Sequence, residues 1–193
     1  MLLFRVGDFY ETFGQDAILA SKILGIVLTK RSNGAASNVE LAGFPHHSLE
    51  TYLPKLVSAG CRVAVCDQLE DPKRAKGIVK RGITELVTPG LSLNDNVLES
   101  KKNNFLASVY SSKENYGVSF LDISTGEFSL CDCSYDQLEK LIYTYNPSEI
   151  ICSKSDKDFI NSKFNTNNVF GIDDWIYKIG YSYDKLLTFF NVK

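Results

Sequence analysis

Residues 91–104 constrain the fold more than any other part of this sequence. The stretch is polar and has no apolar periodicity, yet regular apolar patterning stands on both sides of it. A segment with no apolar face has nothing to place in a core, so the chain must build its cores separately before and after this stretch. The reading is a first domain over residues 1–92, a linker over 93–104 and a second domain over 105–193. Each half is long enough to bury a core of its own.

In the first half, residues 2–6 read as a strand and Gly7-Asp8 as a bend. Residues 15–24 show helical spacing through Ala17, Ile18, Ala20 and Leu24, with Gly25 as the cap. Residues 26–29 read as a strand with Lys30-Arg31 at its exit, 32–38 as a polar loop, and 39–44 as a strand closed by Pro45. A helix starts at Ser48, with Leu49, Tyr52, Leu53, Leu56 and Val57 on one face and Gly60 at its end; Pro54 must kink it or sit in its first turn. Strands follow over 62–66 and 83–88, separated by a basic stretch holding Lys73, Arg74, Lys76, Lys80 and Arg81.

In the second half, strands are expected over 105–110, 116–123 and 127–131, with Ser124-Thr125-Gly126 turning the last hairpin. Residues 134–145 form a helix whose Ser134 and Gln137 suit a capping box, and 149–152 form a buried strand. Beyond Asp156 the mixture of Asn, Asp and aromatics yields no assigned element. Both domains are therefore α/β. The order strand-strand-strand-helix-strand in the second suits a ribonuclease-H-like sheet without being diagnostic of one.

Composition narrows the function classes. Apolar residues make up 44% of the chain and charged residues 23%, as in ordinary globular proteins. Residues 1–92 hold 11 Lys/Arg against 9 Asp/Glu, and the whole chain has a net charge of −2. A domain that grips nucleic acid unaided is usually far more basic, so DNA contact here would need a larger assembly. Five cysteines without a regular framework argue against a disulfide scaffold and point to thiols in a reducing cytosol. Cys131-x-Cys133 lacks a nearby second pair for tetrahedral zinc. No apolar run reaches the roughly 18 residues of a membrane span, and the first residues lack the pattern of a signal peptide.

Catalytic patterns are weak. Residues 77–82 have the glycine spacing of a phosphate loop, but Ile83 stands where the lysine is needed. His46 and His47 are adjacent, and on a strand they would point to opposite faces rather than to one metal. Asp122 is a candidate carboxylate for a two-metal nuclease with no second carboxylate placed beside it; as a turn-forming Asp before Ser124-Thr125 it is ordinary. Phe9 and Glu11 are the unusual pair. If that segment is extended they share a face, and a carboxylate beside a core phenylalanine would be costly to bury. Either the face is exposed or the pair has a task.

The run Leu3-Phe4-Arg5-Val6-Gly7-Asp8-Phe9-Tyr10-Glu11 resembles the opening of the mismatch-binding domain of the MutS family. Leu28-Thr29-Lys30-Arg31, Ala42-Gly43-Phe44-Pro45-His46-His47, Tyr52-Leu53 with Lys55-Leu56-Val57, Val65-Cys66-Asp67-Gln68 with Asp71-Pro72, and Val87-Thr88-Pro89-Gly90 resemble successive segments of the same domain. Leu121-Asp122-Ile123-Ser124-Thr125-Gly126 and Asn146-Pro147-Ser148-Glu149 resemble the family's connector domain.

The resemblance implies an N-terminal mixed-sheet mismatch-binding domain and a ribonuclease-H-like connector domain, truncated near its end. It implies that Phe9 enters the minor groove and stacks on a mispaired or unpaired base, that Glu11 bonds that base, and that Arg31 and Lys30 contact the DNA backbone or groove. It implies mismatched double-stranded DNA as ligand, a MutL-type partner at the connector, a homodimer in the full-length protein, and a cytoplasmic, nucleoid-associated location. It implies no cofactor and no catalysis in this chain, ATP and Mg²⁺ belonging to an ATPase domain outside it. The helical lead-in that family members carry would precede Met1.

Two rival readings remain at the level of sequence. A non-catalytic protein-interaction module would bury Phe9 in its core; a metal-dependent nuclease would bring a second carboxylate to Asp122.

Overall fold

A computed structural model describes residues 1–33, 36–72, 75, 77–92, 102–112, 115–164 and 168–192, the side chains of residues 33, 36 and 37 excepted. The chain divides into two compact units, Met1–Leu98 and Glu99–Lys193, each an α/β body with its own sheet. Most of the expected linker lies outside the described residues.

The first unit is built around a hairpin. β1 (Leu2–Val6) and β2 (Phe9–Phe13) pair antiparallel with Val6 opposite Phe9. The two residues between them form the turn, and Gly7 adopts φ 57, the left-handed value that suits glycine at the first central position of a type II′ turn. Helix α1 (Gly14–Leu24) follows and ends at Gly25, which is also left-handed and returns its N–H to the Ser21 carbonyl. β3 (Thr29–Asn33), β4 (Ala36–Pro45), α2 (Leu49–Ser58), β5 (Val63–Gln68) and β6 (Arg81–Val87) complete the unit.

The six strands lie in the order β3-β4-β2-β1-β5-β6, with only β1 and β5 parallel among the neighbours. The core forms on the helical side, where Leu3, Tyr10, Phe44, Val63 and Val65 meet Ala20, Leu53, Leu56 and Val57. Residues one position along each strand point the other way, so Phe4, Phe9, Glu11 and Phe13 share the opposite face.

Three local expectations change. Residues 26–28 are irregular, and the strand begins at Thr29, where pairing with Leu41 begins; Val27 and Leu28 stay exposed because no neighbouring strand is there to receive them. The expected loop over 32–38 is largely strand on both sides of residues 34–35, since ladder bonds come from the backbone and tolerate polar side chains. Pro54 sits in the second turn of α2, not the first; it is buried and forgoes the backbone bond to Glu50. In the basic stretch Lys73, Arg74 and Lys76 lie outside the described residues.

The second unit has the ribonuclease-H-like arrangement. β7 (Phe105–Ser111), β8 (Tyr116–Asp122) and β9 (Glu127–Cys133) form an antiparallel meander, then α3 (Tyr135–Tyr145) leads to β10 (Glu149–Ser153), parallel to β7. α3 carries the expected capping box between Ser134 and Gln137. The region left unassigned in the sequence contains α4 (Lys157–Phe164), β11 (Val169–Ile172) and α5 (Ile179–Phe190), giving the order β11-β10-β7-β8-β9. The core joins Phe105, Val109, Val118 and Phe120 to Leu138, Ile142, Ile160 and Phe164. Among the described residues no helix is long and apolar enough to cross a membrane.

Asp122 is fully buried at the end of β8. Its carboxylate accepts bonds from the Ser124 hydroxyl and N–H, the Thr125 N–H and the Asn104 N–H. Burial by itself would raise this carboxyl, but the donors outweigh it and hold the group below its ordinary value. A depressed folded value stabilises the fold above the carboxylate range, and the stabilisation is lost as pH falls through it. Asp122→Asn, which turns a donor toward these donors, should cost about 1–3 kcal/mol. In thermal unfolding the deficit should be clear at pH 7 and shrink below pH 4; a variant as stable as the parent at pH 7 would refute the assignment.

Candidate nucleic-acid interface

A strand held on both sides cannot retract its side chains, and β2 is such a strand. Phe9 pairs with Val6 on β1 and with Pro45 on β4, and the His46 N–H donates to the Asp8 carbonyl at 2.8 Å, pinning the hairpin tip. The Phe9 side chain projects from the face opposite the helices and is 46% exposed. Leaving half a phenylalanine in water forgoes on the order of 1 kcal/mol of burial. Exposure alone does not single it out, because Val27, Ile78 and Ile83 are more exposed. Its fixed backbone and its neighbours do.

Glu11 lies on the same face, two residues along. Its side chain is 18% exposed, and its carboxylate meets the Arg31 guanidinium, Nη1 to Oε2, at 3.0 Å. Arg31 stands on β3 opposite Val39 of β4, on the same face of the sheet, and is 48% exposed. Between these strands, Gly43 of β4 is directly opposite Glu11. A Cβ at Gly43 would come within 2.8 Å of the Tyr10 carbonyl and 3.5 Å of Glu11 Cγ. Glycine here permits the close approach of β4 and leaves the Glu11 side chain room to lie across the sheet.

The structure thus brings Phe9, Glu11 and Arg31 to one face. It does not bring Lys30 there: Lys30 is opposite Glu40 in the same ladder, and strand alternation sends it to the other side of the sheet. Sequence reasoning missed the Arg31–Glu11 contact and the part played by Gly43. The adjacent Lys30-Arg31 cations gave no sign of which one faces Glu11 until the register with β4 was fixed.

Beneath the hairpin, on the helical side, Tyr10 donates to Asp67 Oδ2 at 2.7 Å, and Arg5 reaches Asp67 at 3.4 Å and lies over the Tyr10 ring. Arg5 is therefore committed to supporting the hairpin from within. On the other face of the sheet, Arg81 donates to the Arg5 and Val79 carbonyls and its guanidinium lies over the Phe4 ring. Burial, and then the Asp67 carboxylate, push the Tyr10 phenol up to about 12. For Asp67, burial works upward but the bonds from Tyr10 and the Gln68 N–H, with the Arg5 charge, hold the carboxyl below its usual range.

The rival readings fare less well. Phe9 is not in the core. Glu127 stands opposite Asp122 in the ladder, but the Asp122 carboxylate is taken up by the Asn104, Ser124 and Thr125 donors, and among the described residues no group of three or more His, Cys, Asp or Glu side chains converges as a metal site. His46 is engaged with the Asp8 carbonyl at the hairpin tip. The glycine-spaced segment before Ile83 leads into strand β6 rather than into a helix, so it is not a phosphate loop.

The family profile described as MutS domain I matches residues 1–96, and that of MutS domain II matches residues 104–193. The chain belongs to the MutS family. Proteins named DNA mismatch repair protein MutS are similar to it: that of Flavobacterium psychrophilum is 60% identical over 98% of this chain, that of Christiangramia forsetii 59% over 100%, and that of Porphyromonas gingivalis 58% over 100%. The chain spans 22% of the length of each of these relatives. Within the MutS architecture it thus covers the two N-terminal domains, and Phe9, Glu11 and Arg31 all fall in domain I.

The Tyr10 network gives a test of how the hairpin is held. A raised phenol supports folding at neutral pH, and that support is lost as pH climbs from its ordinary value near 10 through about 12. Tyr10→Phe should lower stability by about 1–2 kcal/mol at pH 7. In urea unfolding the gap between parent and variant should narrow above pH 10; a constant gap would show that the phenol is not what titrates.

Proposed function

We propose that this chain is the DNA-reading front of a longer mismatch-repair protein and that it recognises mispaired or unpaired bases by wedging Phe9 into the minor groove. The observation that carries the reading is a half-exposed phenylalanine on a strand paired on both sides, with a carboxylate beside it. An inserted ring must offset the cost of unstacking, a few kcal/mol per step and less where pairing is already faulty. Stacking on the ring returns roughly 1–3 kcal/mol per base and is indifferent to base identity. A reader of many different errors needs that indifference, and discrimination then comes from the ease of deforming the duplex.

Glu11 supplies the second element. A carboxylate near phosphates is repelled, so it weakens binding to paired DNA and recovers the loss only where a displaced base offers a donor. The small charge excess of the first domain fits a reader whose grip on DNA comes mainly from an assembly. The reading rests on Phe9, Glu11 and Arg31 and leaves Lys30 out. The connector would join DNA sensing to a MutL-type partner, the full-length protein would act as a homodimer, and ATP with Mg²⁺ would be used by regions beyond these two domains.

In the full-length protein, Phe9→Ala should remove roughly tenfold to a hundredfold of the preference for a mismatched over a paired duplex, the equivalent of about 1–3 kcal/mol of lost stacking. Glu11→Ala should lose discrimination while keeping or raising affinity for paired DNA. Binding titrations with two duplexes differing at one base decide it: a Phe9→Ala protein that keeps its preference, or a uniform weakening with Glu11→Ala, would refute these roles.

A further inference from the structure

Among the described residues, Arg31 is the one strongly exposed cation whose place on the reading face the ladder fixes, and it is not simply presented to solvent. Its Nη1 lies 3.0 Å from Glu11 Oε2. The two residues come from strands separated by β4, and the side chains meet across a position kept clear by Gly43. An ion pair with one partner half-exposed gives little stability, so the contact matters for where it holds the carboxylate rather than for the fold. A glutamate has three rotatable bonds, and a planar guanidinium with fixed donor directions limits which rotamers keep it near Phe9.

We infer that Arg31 is a positioning residue for mismatch reading: it aims the Glu11 carboxylate beside Phe9. The inference rests on the reading of Phe9 and Glu11 given above and assigns Arg31 a role that a simple phosphate contact would not have. A cation that bonds phosphate strengthens binding to every sequence and contributes about one contact to the salt dependence. A cation that acts through Glu11 changes the ratio between mismatched and paired DNA and loses its influence when Glu11 is gone.

The experiment is a double-mutant cycle in the full-length protein, with affinities for a mismatched and a paired duplex of otherwise equal sequence measured across a range of salt. The expected result is that Arg31→Ala lowers the mismatched-to-paired ratio by about fivefold or more, comparably to Glu11→Ala, with the double variant no worse than either single one. The salt slope on paired DNA should stay unchanged, and Arg31→Lys should restore part of the ratio. If Arg31→Ala instead weakens both duplexes equally, lowers the slope by about one and adds to Glu11→Ala, Arg31 is a phosphate contact and the inference is overturned alone. If Glu11→Ala itself leaves the ratio intact, the reading of Glu11 fails and the inference falls with it. Thermal unfolding of Arg31→Ala, expected to match the parent, separates either result from misfolding.

Discussion

Pairing of β2 with a neighbour on each side is the constraint on which the site depends. An aromatic side chain on a free loop would fold back onto the nearest apolar surface, because burying it is favourable by more than the loop would resist. On β2 that escape is closed. Backbone bonds to β1 and β4 fix the direction of the strand, alternation sends Tyr10 and Thr12 into the unit, and Phe9, Glu11 and Phe13 are left outside as a consequence. The core on the helical side thus sets the geometry of the exposed face. Tyr10, Asp67 and Arg5 extend that support to the end of the hairpin, where apolar packing gives way to a partly buried polar network.

The electrostatics of the exposed face follow from the same register. A carboxylate in the path of a polyanion is a liability, and the sheet supplies its counter-ion from a strand two places away. Arg31 and Lys30 are neighbours in the chain, yet they lie on opposite sides of the sheet, and only Arg31 reaches the carboxylate. A one-residue slip of β3 against β4 would exchange them. The placement of a single charge is therefore a property of the whole ladder, and Gly43, by admitting close approach, is part of it.

The parts of this architecture legible in the sequence were those encoded by near neighbours. Gly7-Asp8 marks the bend after β1, although the sequence assigns no strand beyond it; Ser134 with Gln137 announces the start of α3, and period-two spacing puts Phe9 and Glu11 on one face once their segment is extended. What stayed hidden depended on distant partners. Val27 and Leu28 look like strand residues and suggest a start to β3 that is too early, whereas the strand begins only where β4 is available to pair. β11 is four residues long and exists through parallel pairing with β10, so its sequence carries no pattern of its own. The Arg31–Glu11 contact spans 20 residues of chain and two strand spacings, beyond any local signal.

The most direct test of the central claim is where the side chain at position 9 goes when the protein meets damaged pairing. The photoreactive p-benzoylphenylalanine in place of Phe9, in the full-length protein bound to a duplex with one mismatch, should on irradiation link to the mispaired nucleotide or its immediate neighbour. Linkage scattered along the duplex, or found equally on fully paired DNA, would contradict a fixed aromatic wedge and with it this account of recognition.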